Sequence, residues 1–345
     1  MPPTQILILS DGRPGHVNLS EGIAAALEHL GPAETRRLEI RRGRWPGAVL
    51  AGLSRSPLPP NAMLRLVYGL DDLQIPAAGI VVSAGAETLA ASVWLARARQ
   101  VPNVFYGSLR LFDPADFALV LTSYAANAAL PRHALTLKPS RLDPGHRRQR
   151  RPAEATPPSA AGQTVGLLIG GDAGPIAYRE ADWTALLELV ERMARESGTR
   201  WLVANSRRTP DPVSDALSAL AGRADGPIAT FLDVRTAGAG TLAGLLLDCD
   251  AVICTADSSS MISECVWAQL PTVAVSPATF ELTPNERDYR DWISAQGWLR
   301  TLPLPGIAPE PYQAAVAGVT PMRHNPLHAL AGLLQQRLGL PAASR

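Results

Sequence analysis

The segment CTADSSSMISECVWAQLP (254–271) carries small polar residues and one acid between a buried apolar run and a Leu-Pro pair. Its turn consists of Asp257, Ser258, Ser259 and Ser260. A helix predicted after this turn would direct first-turn N–H groups and a positive dipole end at a diphosphate. Glu264 lies about one turn further on, and its carboxylate can accept two hydrogen bonds from a ribose diol. An ordinary capped helix with a solvated Glu264 is the alternative.

The motif DGRPGH (11–16) follows the first apolar run of the chain and contains a histidine. An imidazole with a pKa near 6.5 is suited to removing a proton from a hydroxyl group at neutral pH, so His16 is a candidate general base. Asp11 either orients His16 or is itself the base. Alternatively, His16 caps the following helix or binds phosphate together with Arg13.

Two further polar motifs follow apolar runs in the second half of the chain. Gly170, Gly171 and Asp172 form a turn in which the backbone can approach a ligand, although a purely structural turn is an equal alternative. Asp172 is expected either to contact a sugar hydroxyl or to cap the next helix. The motif NSRRTP (205–210) contains Ser206 with Arg207 and Arg208, which predict phosphate binding unless they form a solvated surface pair.

The one Asp-x-Asp triplet, Asp248–Asp250, directly precedes the predicted strand 251–254 rather than following a strand, and no spacing typical of His/Cys metal ligands occurs in the sequence. The three cysteines, Cys249, Cys254 and Cys265, fall in one short segment and are expected to be reduced and buried. We therefore expect no metal ion and no cofactor, with arginines and a helix dipole meeting the phosphate charge.

The elements that must position these residues are short apolar runs alternating with helical patterns, which predict parallel α/β sheets. The predicted strands are 5–9, 80–83, 103–106, 117–121, 164–169, 200–204, 251–254 and 272–275. The predicted domains are 1–145, a linker over 146–163, 164–320, and a terminal segment 321–345 whose helix crosses back to the first domain. Two Rossmann-like sheets facing across a cleft are expected, with ligands at the carboxyl ends of the strands.

The 345 residues carry a net charge of +1, which disfavours general nucleic-acid binding. We expect a cytoplasmic protein, because no apolar stretch has the length of a signal peptide or a membrane-spanning helix. The stretch 36–70 mixes arginines with Trp45 and leucines. It predicts either peripheral contact with an anionic membrane surface or core helices flanked by surface arginines.

The motifs DGRPGH, GGD, NSRRTP and TADSSSMISE, in this order, resemble those of bacterial members of the mitochondrial-fission ELM family, which are predicted glycosyltransferases. The segment 254–271 is also similar to the nucleotide-sugar turn of the lipid-linked N-acetylglucosaminyltransferases of peptidoglycan synthesis. The resemblance implies a GT-B fold and spans most of the chain.

The resemblance further implies a glycosyltransferase that moves a sugar from a nucleoside diphosphate sugar to a lipid-linked or lipopolysaccharide-type envelope acceptor at the cytoplasmic face of the inner membrane. His16 and Asp11 would be catalytic, and the residues around 170–172, 206–208, 257–260 and 264 would bind the donor. Candidate acceptor-binding residues are Gly12, Arg13, Gly15, Asn18, Ser83 and Gly85. A nucleotide-sugar 2-epimerase or hydrolase, or a noncatalytic adaptor in membrane fission or envelope organisation, is the alternative.

Overall fold

The structure, a computed structural model, describes residues 3–146, 162–237 and 242–341. Contacts along the chain divide it into two compact units. The first contains Met1–Arg141 with Pro326–Arg345, and the second contains Leu142–Asn325. Most of the expected linker over 146–163 lies outside the described residues.

The sheet of the first unit has six parallel strands. They are β1 (Thr4–Ser10), β2 (Ala33–Glu39), β3 (Ile80–Ala84), β4 (Asn103–Tyr106), β5 (Leu119–Thr122) and β6 (His133–Leu135). Their order is β2-β1-β3-β4-β5-β6, so the chain adds β2 on one side of β1 and β3 on the other. The loops after β1 and β3 therefore diverge at the carboxyl edge, which is where open α/β sheets bind ligands.

Helices cover this sheet on both faces, which is why its inner strands are continuous apolar runs. The helices after the first three strands are α1 (Pro14–Glu28), α2 (Gly47–Ser54), α3 (Pro60–Tyr68) and α4 (Leu89–Arg99). Leu7, Val81 and Val120 from the strands pack in one core cluster with Leu64 of α3 and the fully buried Trp94 of α4.

The sheet of the second unit also has six parallel strands. They are β7 (Thr164–Leu168), β8 (Arg200–Ala204), β9 (Ile228–Leu232), β10 (Ala251–Thr255), β11 (Thr272–Ser276) and β12 (Leu299–Pro303). The order β12-β11-β10-β7-β8-β9 reverses direction between β7 and β10. Cys254 pairs with Leu168, so the loops after these two strands start side by side.

The helices of the second unit connect these strands and shield both faces of the sheet. They are α5 (Glu180–Ser197), α6 (Asp211–Ala221), α7 (Val234–Ala237), α8 (Leu242–Leu247), α9 (Ser259–Trp267), α10 (Pro284–Ala295) and α11 (Pro309–Ala317). The core cluster includes Val165, Val203 and Ile253 from the strands with Trp183 of α5 and Tyr312 of α11. The prediction of two Rossmann-like parallel sheets is thus confirmed.

The last helix, α12 (Pro326–Leu338), belongs to the first unit and packs against α1. The imidazole rings of His29 and His328 stack there with centroids 4.0 Å apart. In the described ranges, no helix combines the length and apolar character needed to cross a bilayer.

The first helix begins earlier than the apolar periodicity indicates. From the sequence, the DGRPGH motif (11–16) is expected to be a loop, and the apolar spacing typical of a helix begins only at residue 21, whereas α1 starts at Pro14. Proline is favoured in the first helical turn because an N–H at that position would have no intrahelical acceptor, so its absence costs no hydrogen bond. The φ of proline is also already close to the helical value. His16 therefore lies in the first turn of α1, where the helix fixes its position.

The stretch 36–70 forms most of edge strand β2 and the helices α2 and α3. Several of its arginines pair with carboxylates: Arg42 Nε lies 2.7 Å from Glu87, and Arg65 Nε lies 3.1 Å from Asp71. Apolar residues of both helices, including Leu64, lie in the core. These contacts are those of core helices flanked by surface arginines, while Leu66 remains exposed.

Candidate functional site

Three loops meet at the carboxyl edge of the second sheet, at the point where its strand order reverses. They follow β7, β8 and β10, and they contain the GGD, NSRRTP and TADSSS motifs. Each preceding strand is buried, so the chain first reaches polar surroundings in these loops. The structure thus brings together motifs that are up to about ninety residues apart in the sequence.

The carboxylate of Asp257 connects the three loops. It accepts hydrogen bonds from the Gly171 N–H at 3.2 Å and the Tyr178 hydroxyl at 3.3 Å, and it forms an ion pair with Arg208. None of the Asp257 side chain is exposed. The expectation that Asp257 contacts the donor is corrected accordingly: its oxygens are already occupied, and its role is to hold Arg208 and the adjoining loops.

The two glycines after β7 are required by the close approach of these loops. A Cβ at Gly170 would lie 2.0 Å from a carboxylate oxygen of Asp257, and a Cβ at Gly171 would lie 2.0 Å from the carbonyl oxygen of Arg208. The Gly170 N–H also donates to the Thr255 hydroxyl at 2.7 Å. These contacts account for both glycines as elements of loop packing.

Asp172 and Tyr178 stabilise the remainder of the first loop. An Asp172 oxygen accepts the Tyr178 N–H at 2.9 Å, close to the start of α5. The Tyr178 ring stacks on Trp183 with centroids 4.6 Å apart and is buried, which raises the pKa of its hydroxyl. Asp172 therefore closes the turn that precedes α5, whereas the N-cap of α5 is Arg179 and Asp182 accepts its N–H.

The turn after β10 leads directly into α9, which begins at Ser259. Ser258 is the N-cap residue, and its hydroxyl oxygen accepts the Met261 N–H at 3.4 Å. Ser258 is buried, Ser259 is half-buried and Ser260 is exposed. The first-turn N–H groups of a helix lack intrahelical acceptors, so this end of α9 is suited to an anionic ligand.

Glu264 lies in the second turn of α9 and is half-buried. Burial raises the pKa of its carboxyl group from 4.5 to about 7. No side chain in the described part of the protein hydrogen bonds to this carboxyl group or pairs with it. A shielded carboxyl group without partners is stabilised when a ligand supplies hydroxyl donors.

The two arginines of the NSRRTP motif differ in their surroundings. Arg208 is partly exposed and is neutralised by Asp257. Arg207 is exposed, and none of the described carboxylates lies within ion-pair distance of it. Arg207 is therefore the member of the pair whose charge is available to a phosphate group.

A further cation lies beneath the turn, at a position that the sequence analysis missed. Arg290 of α10 is buried, its Nη2 donates to the Ala256 carbonyl at 2.9 Å, and its Nε has no hydrogen-bond partner. It has no carboxylate partner among residues 3–146, 162–237 and 242–341. No sequence signal distinguishes Arg290 from the other charged residues of NERDYRDW, because only the tertiary fold places it under the turn.

In the first unit, Asp11 and His16 form a hydrogen-bonded pair at the corresponding edge. His16 Nδ1 lies 2.7 Å from Asp11 Oδ2, and only 2% of the Asp11 side chain is exposed, against 29% for His16. Gly85, after β3, has φ +89, and a Cβ there would lie 2.2 Å from His16 Nδ1. The loops after β1 and β3 thus fix the imidazole ring.

The other acceptor-binding candidates occupy different surroundings. Gly12, Arg13, Gly15 and Asn18 are exposed around the start of α1, on either side of His16. Ser83 is fully buried in β3, and its hydroxyl has no partner. The expectation that Ser83 contacts a ligand is corrected, because strands on both sides and helices on both faces enclose it.

The described residues contain no group of three or more His, Cys, Asp or Glu side chains arranged to hold a metal ion. Cys249, Cys254 and Cys265 are free thiols and are buried. Burial raises the pKa of Cys265, which disfavours the reactive thiolate.

Solved structures with the same fold include glycosyltransferases and epimerases. MurG from Acinetobacter baumannii is 14% identical, with a TM-score of 0.51 over 97% of this chain and all of MurG. A putative UDP-N-acetylglucosamine 2-epimerase from Listeria monocytogenes is 10% identical, with a TM-score of 0.56 over the whole of both chains. The UDP-GlcNAc 2-epimerase from Neisseria meningitidis, bound to UDP-GlcNAc, is 12% identical, with a TM-score of 0.53 over 99% of this chain and all of the epimerase.

At these identities the likeness shows the GT-B fold. A search of curated proteins finds no significant match to the sequence. The family described as mitochondrial fission ELM1 matches residues 14–328, which include every motif discussed above except the first three residues of DGRPGH. The chain therefore belongs to the mitochondrial fission ELM1 family.

Proposed function

We propose that the protein is a metal-independent glycosyltransferase that moves a sugar from a nucleoside diphosphate sugar to a lipid-linked or lipopolysaccharide-type envelope acceptor. The observation that carries the proposal is the shielded, partnerless Glu264 carboxyl group one turn inside α9, behind the Ser258–Ser260 turn. This arrangement offers complementary groups to the ribose and to the diphosphate of the donor. We further propose a cytoplasmic location, with peripheral contact to the inner membrane, because the acceptor would be found there.

The second unit binds the donor in this proposal. The diphosphate lies over the first turn of α9, where Ser260 presents a backbone N–H group at the positive end of the helix dipole. Arg207 contacts the phosphate oxygens, while the buried Arg290 adds positive potential from beneath. The ionised Glu264 accepts hydrogen bonds from the ribose hydroxyls. These cations and the helix dipole stabilise the nucleoside diphosphate as it leaves.

The first unit supplies the general base. Since Asp11 occupies the Nδ1 side of His16, the Nε2 atom is left to take the proton of the acceptor hydroxyl. The acceptor oxygen then forms a bond to the anomeric carbon as the bond from that carbon to the diphosphate oxygen breaks. The proton ends on His16, and the electron pair leaves with the nucleoside diphosphate.

Calorimetry with UDP-GlcNAc tests the donor site, following a thermal-shift screen of other sugar nucleotides if this one does not bind. Glu264→Gln should weaken binding by about tenfold or more, because the amide cannot accept both hydroxyls. Glu188→Gln, on the exposed face of α5, is the matched control. Equal affinity of wild type and Glu264→Gln for the donor would contradict the proposal.

The pH dependence of the same affinity provides a second measurement. Because the Glu264 pKa is about 7, its ionised fraction rises between pH 6 and pH 8. UDP-GlcNAc does not change its charge over this range, so wild-type affinity should rise with pH. The affinity of Glu264→Gln should remain constant.

A nucleotide-sugar 2-epimerase or hydrolase is the second candidate, favoured by the fold shared with UDP-GlcNAc 2-epimerases. Such an enzyme needs no acceptor. Incubation with UDP-GlcNAc alone, followed by NMR, separates the two: a C2 epimer or free sugar supports the second candidate, and unchanged donor supports transfer.

A further inference from the structure

A cavity of about 700 Å³ opens at the carboxyl edge of the first sheet. Arg13, Arg42, Glu87 and Arg110 line it, and they follow β1, β2, β3 and β4 respectively. These are four adjacent strands, and the reversal of strand order lies between β1 and β3. The cavity therefore occupies the position at which an open parallel sheet binds a ligand.

The charges lining the cavity are not balanced. Three arginines stand against Glu87 alone, which leaves two positive charges in excess. Glu87 lies 2.7 Å from Arg42 and neutralises it. The nearest carboxylate to Arg13 is Asp11 at 3.9 Å, which is already engaged by His16, and Arg110 has no ion pair with any described residue. Arg13 and Arg110 are thus available to an anion.

The backbone holds Arg110 in an unfavourable conformation. Its φ is +53, in the left-handed region that non-glycine residues rarely occupy, and its N–H donates to the Ser108 hydroxyl at 3.4 Å. Such conformations are retained where surrounding structure requires them, and they cluster at ligand-binding sites. This turn directs residues 108–112 to the cavity.

Part of the cavity wall is apolar. Leu89 and Phe112 form buried parts of it, and Leu111 lines it with 59% of its surface exposed. An exposed leucine beside the unpaired Arg110 and the loosely paired Arg13 is suited to a ligand that combines an anion with a hydrocarbon portion.

The cavity adjoins the Asp11–His16 pair. Arg13, which lines it, is three residues before His16, and Ala86, which also lines it, follows the glycine that packs against the His16 ring. An acceptor held in the cavity would therefore carry its hydroxyl close to the proposed base.

We propose that this cavity binds an amphiphilic phosphate ester, with Arg13 and Arg110 on the phosphate oxygens and the hydrocarbon portion against Leu111 and Phe112. The inference rests on the proposed transferase function, in which this ligand is the anionic anchor of the acceptor. It assigns Arg42 the role of holding Glu87 rather than contacting the ligand.

Calorimetry with geranyl diphosphate and with inorganic pyrophosphate tests the proposal. Wild type should bind geranyl diphosphate at least about tenfold more tightly than pyrophosphate, because only the former covers the apolar wall. Arg110→Gln should weaken geranyl diphosphate binding by about tenfold or more, as expected for loss of a charge-assisted hydrogen bond. Arg132→Gln is the control, since Arg132 is likewise exposed with a φ of +63 but precedes β6 at the opposite edge.

Several results would overturn the proposal. They are absence of binding to wild type, equal binding of the two probes, and an equal loss in Arg132→Gln. Unchanged binding in Arg110→Gln with a loss in Arg207→Gln would place the probe in the second unit and would also overturn it. Melting temperatures check that each variant folds.

The donor site can fail independently of this one. Glu264→Gln should leave geranyl diphosphate binding intact, and Arg110→Gln should leave UDP-GlcNAc binding intact. If geranyl diphosphate binds as expected while no sugar nucleotide binds, the transferase function fails and the cavity assignment stands. If a sugar nucleotide binds as expected while geranyl diphosphate does not, only the cavity assignment fails.

Discussion

His16 Nδ1 lies 2.7 Å from a carboxylate oxygen of Asp11, whose side chain is almost entirely buried. A buried carboxylate in this position accepts a hydrogen bond from Nδ1–H, which leaves Nε2 unprotonated in the neutral ring. Asp11 is enclosed and His16 retains an exposed edge, so the geometry favours His16 over Asp11 as the proposed base.

Replacing Asp11 with Asn should change the tautomer of His16, because an amide no longer requires a donor at Nδ1. Nitrogen–proton correlation spectra of the histidine rings measure this directly. His133 is an internal control, since its Nδ1 lies 2.7 Å from the Pro131 carbonyl and must remain a donor. An unchanged His16 spectrum in Asp11→Asn would contradict the orienting role.

Gly85→Ala should displace the His16 ring and destabilise the first unit. The new Cβ would lie 2.2 Å from Nδ1, in addition to the cost of about 1 kcal/mol for alanine at positive φ. Gly69→Ala is the control, because Gly69 has φ +68 and nothing within 4 Å of the added atom. Melting temperature should fall further in Gly85→Ala, and only this variant should alter the His16 ring signals. Equal effects of the two substitutions would argue against the contact.

Glu264 should make the unliganded protein less stable as the pH rises. Its folded pKa of about 7 is above the ordinary 4.5, so the folded state binds the proton more tightly than the unfolded state. The stabilising contribution is fully present below about pH 4.5 and is lost as the pH rises through 7. The loss is on the order of 1–3 kcal/mol.

Chemical denaturation at pH 5 and pH 8 measures this dependence. Glu264→Gln should lose less stability than wild type between these two values, because its amide does not titrate. Parallel losses in the two proteins would show that other groups cause the pH dependence.

The Asp257–Arg208 ion pair should contribute more to the free energy of unfolding than an exposed ion pair does. Arg208→Gln leaves the enclosed Asp257 carboxylate without its cation and should cost about 1–3 kcal/mol, discounted because Arg208 is 45% exposed. Asp257→Asn, Arg208→Gln and the double variant form a double-mutant cycle. A coupling free energy near zero, measured by urea unfolding, would show that the pair does not hold the loops together.

The strands that the sequence predicts are the inner strands of both sheets, and two of them, Asn103–Tyr106 and Arg200–Ala204, match the structure at both ends. All four edge strands were missed. Edge strands have one unpaired side and tolerate charge, as AETRRLE of β2 shows, so they lack the continuous apolar run on which the prediction depends. A strand that is buried on both faces can be predicted from its continuous apolar run, whereas an edge strand, which pairs on one side only, has no such pattern.

The candidate site was predictable to a similar extent. Loops that follow inner strands were identified correctly, because the carboxyl edge of a parallel sheet collects them. The partners within the site were not predictable: Asp257 meets Arg208 and Gly171 through the order of strands, and Arg290 reaches the turn from α10. Such contacts depend on distances in the folded chain that no local pattern encodes.

The enclosure of Asp257 restricts how this family can diversify. One carboxylate ties together segments borne on three separate strands, so a change in any one segment must accommodate the other two. New ligand preferences are accordingly expected to arise at positions outside the Asp257 hydrogen-bond cluster. Arg207 is such a position, because its substitution would break no ion pair with a described residue.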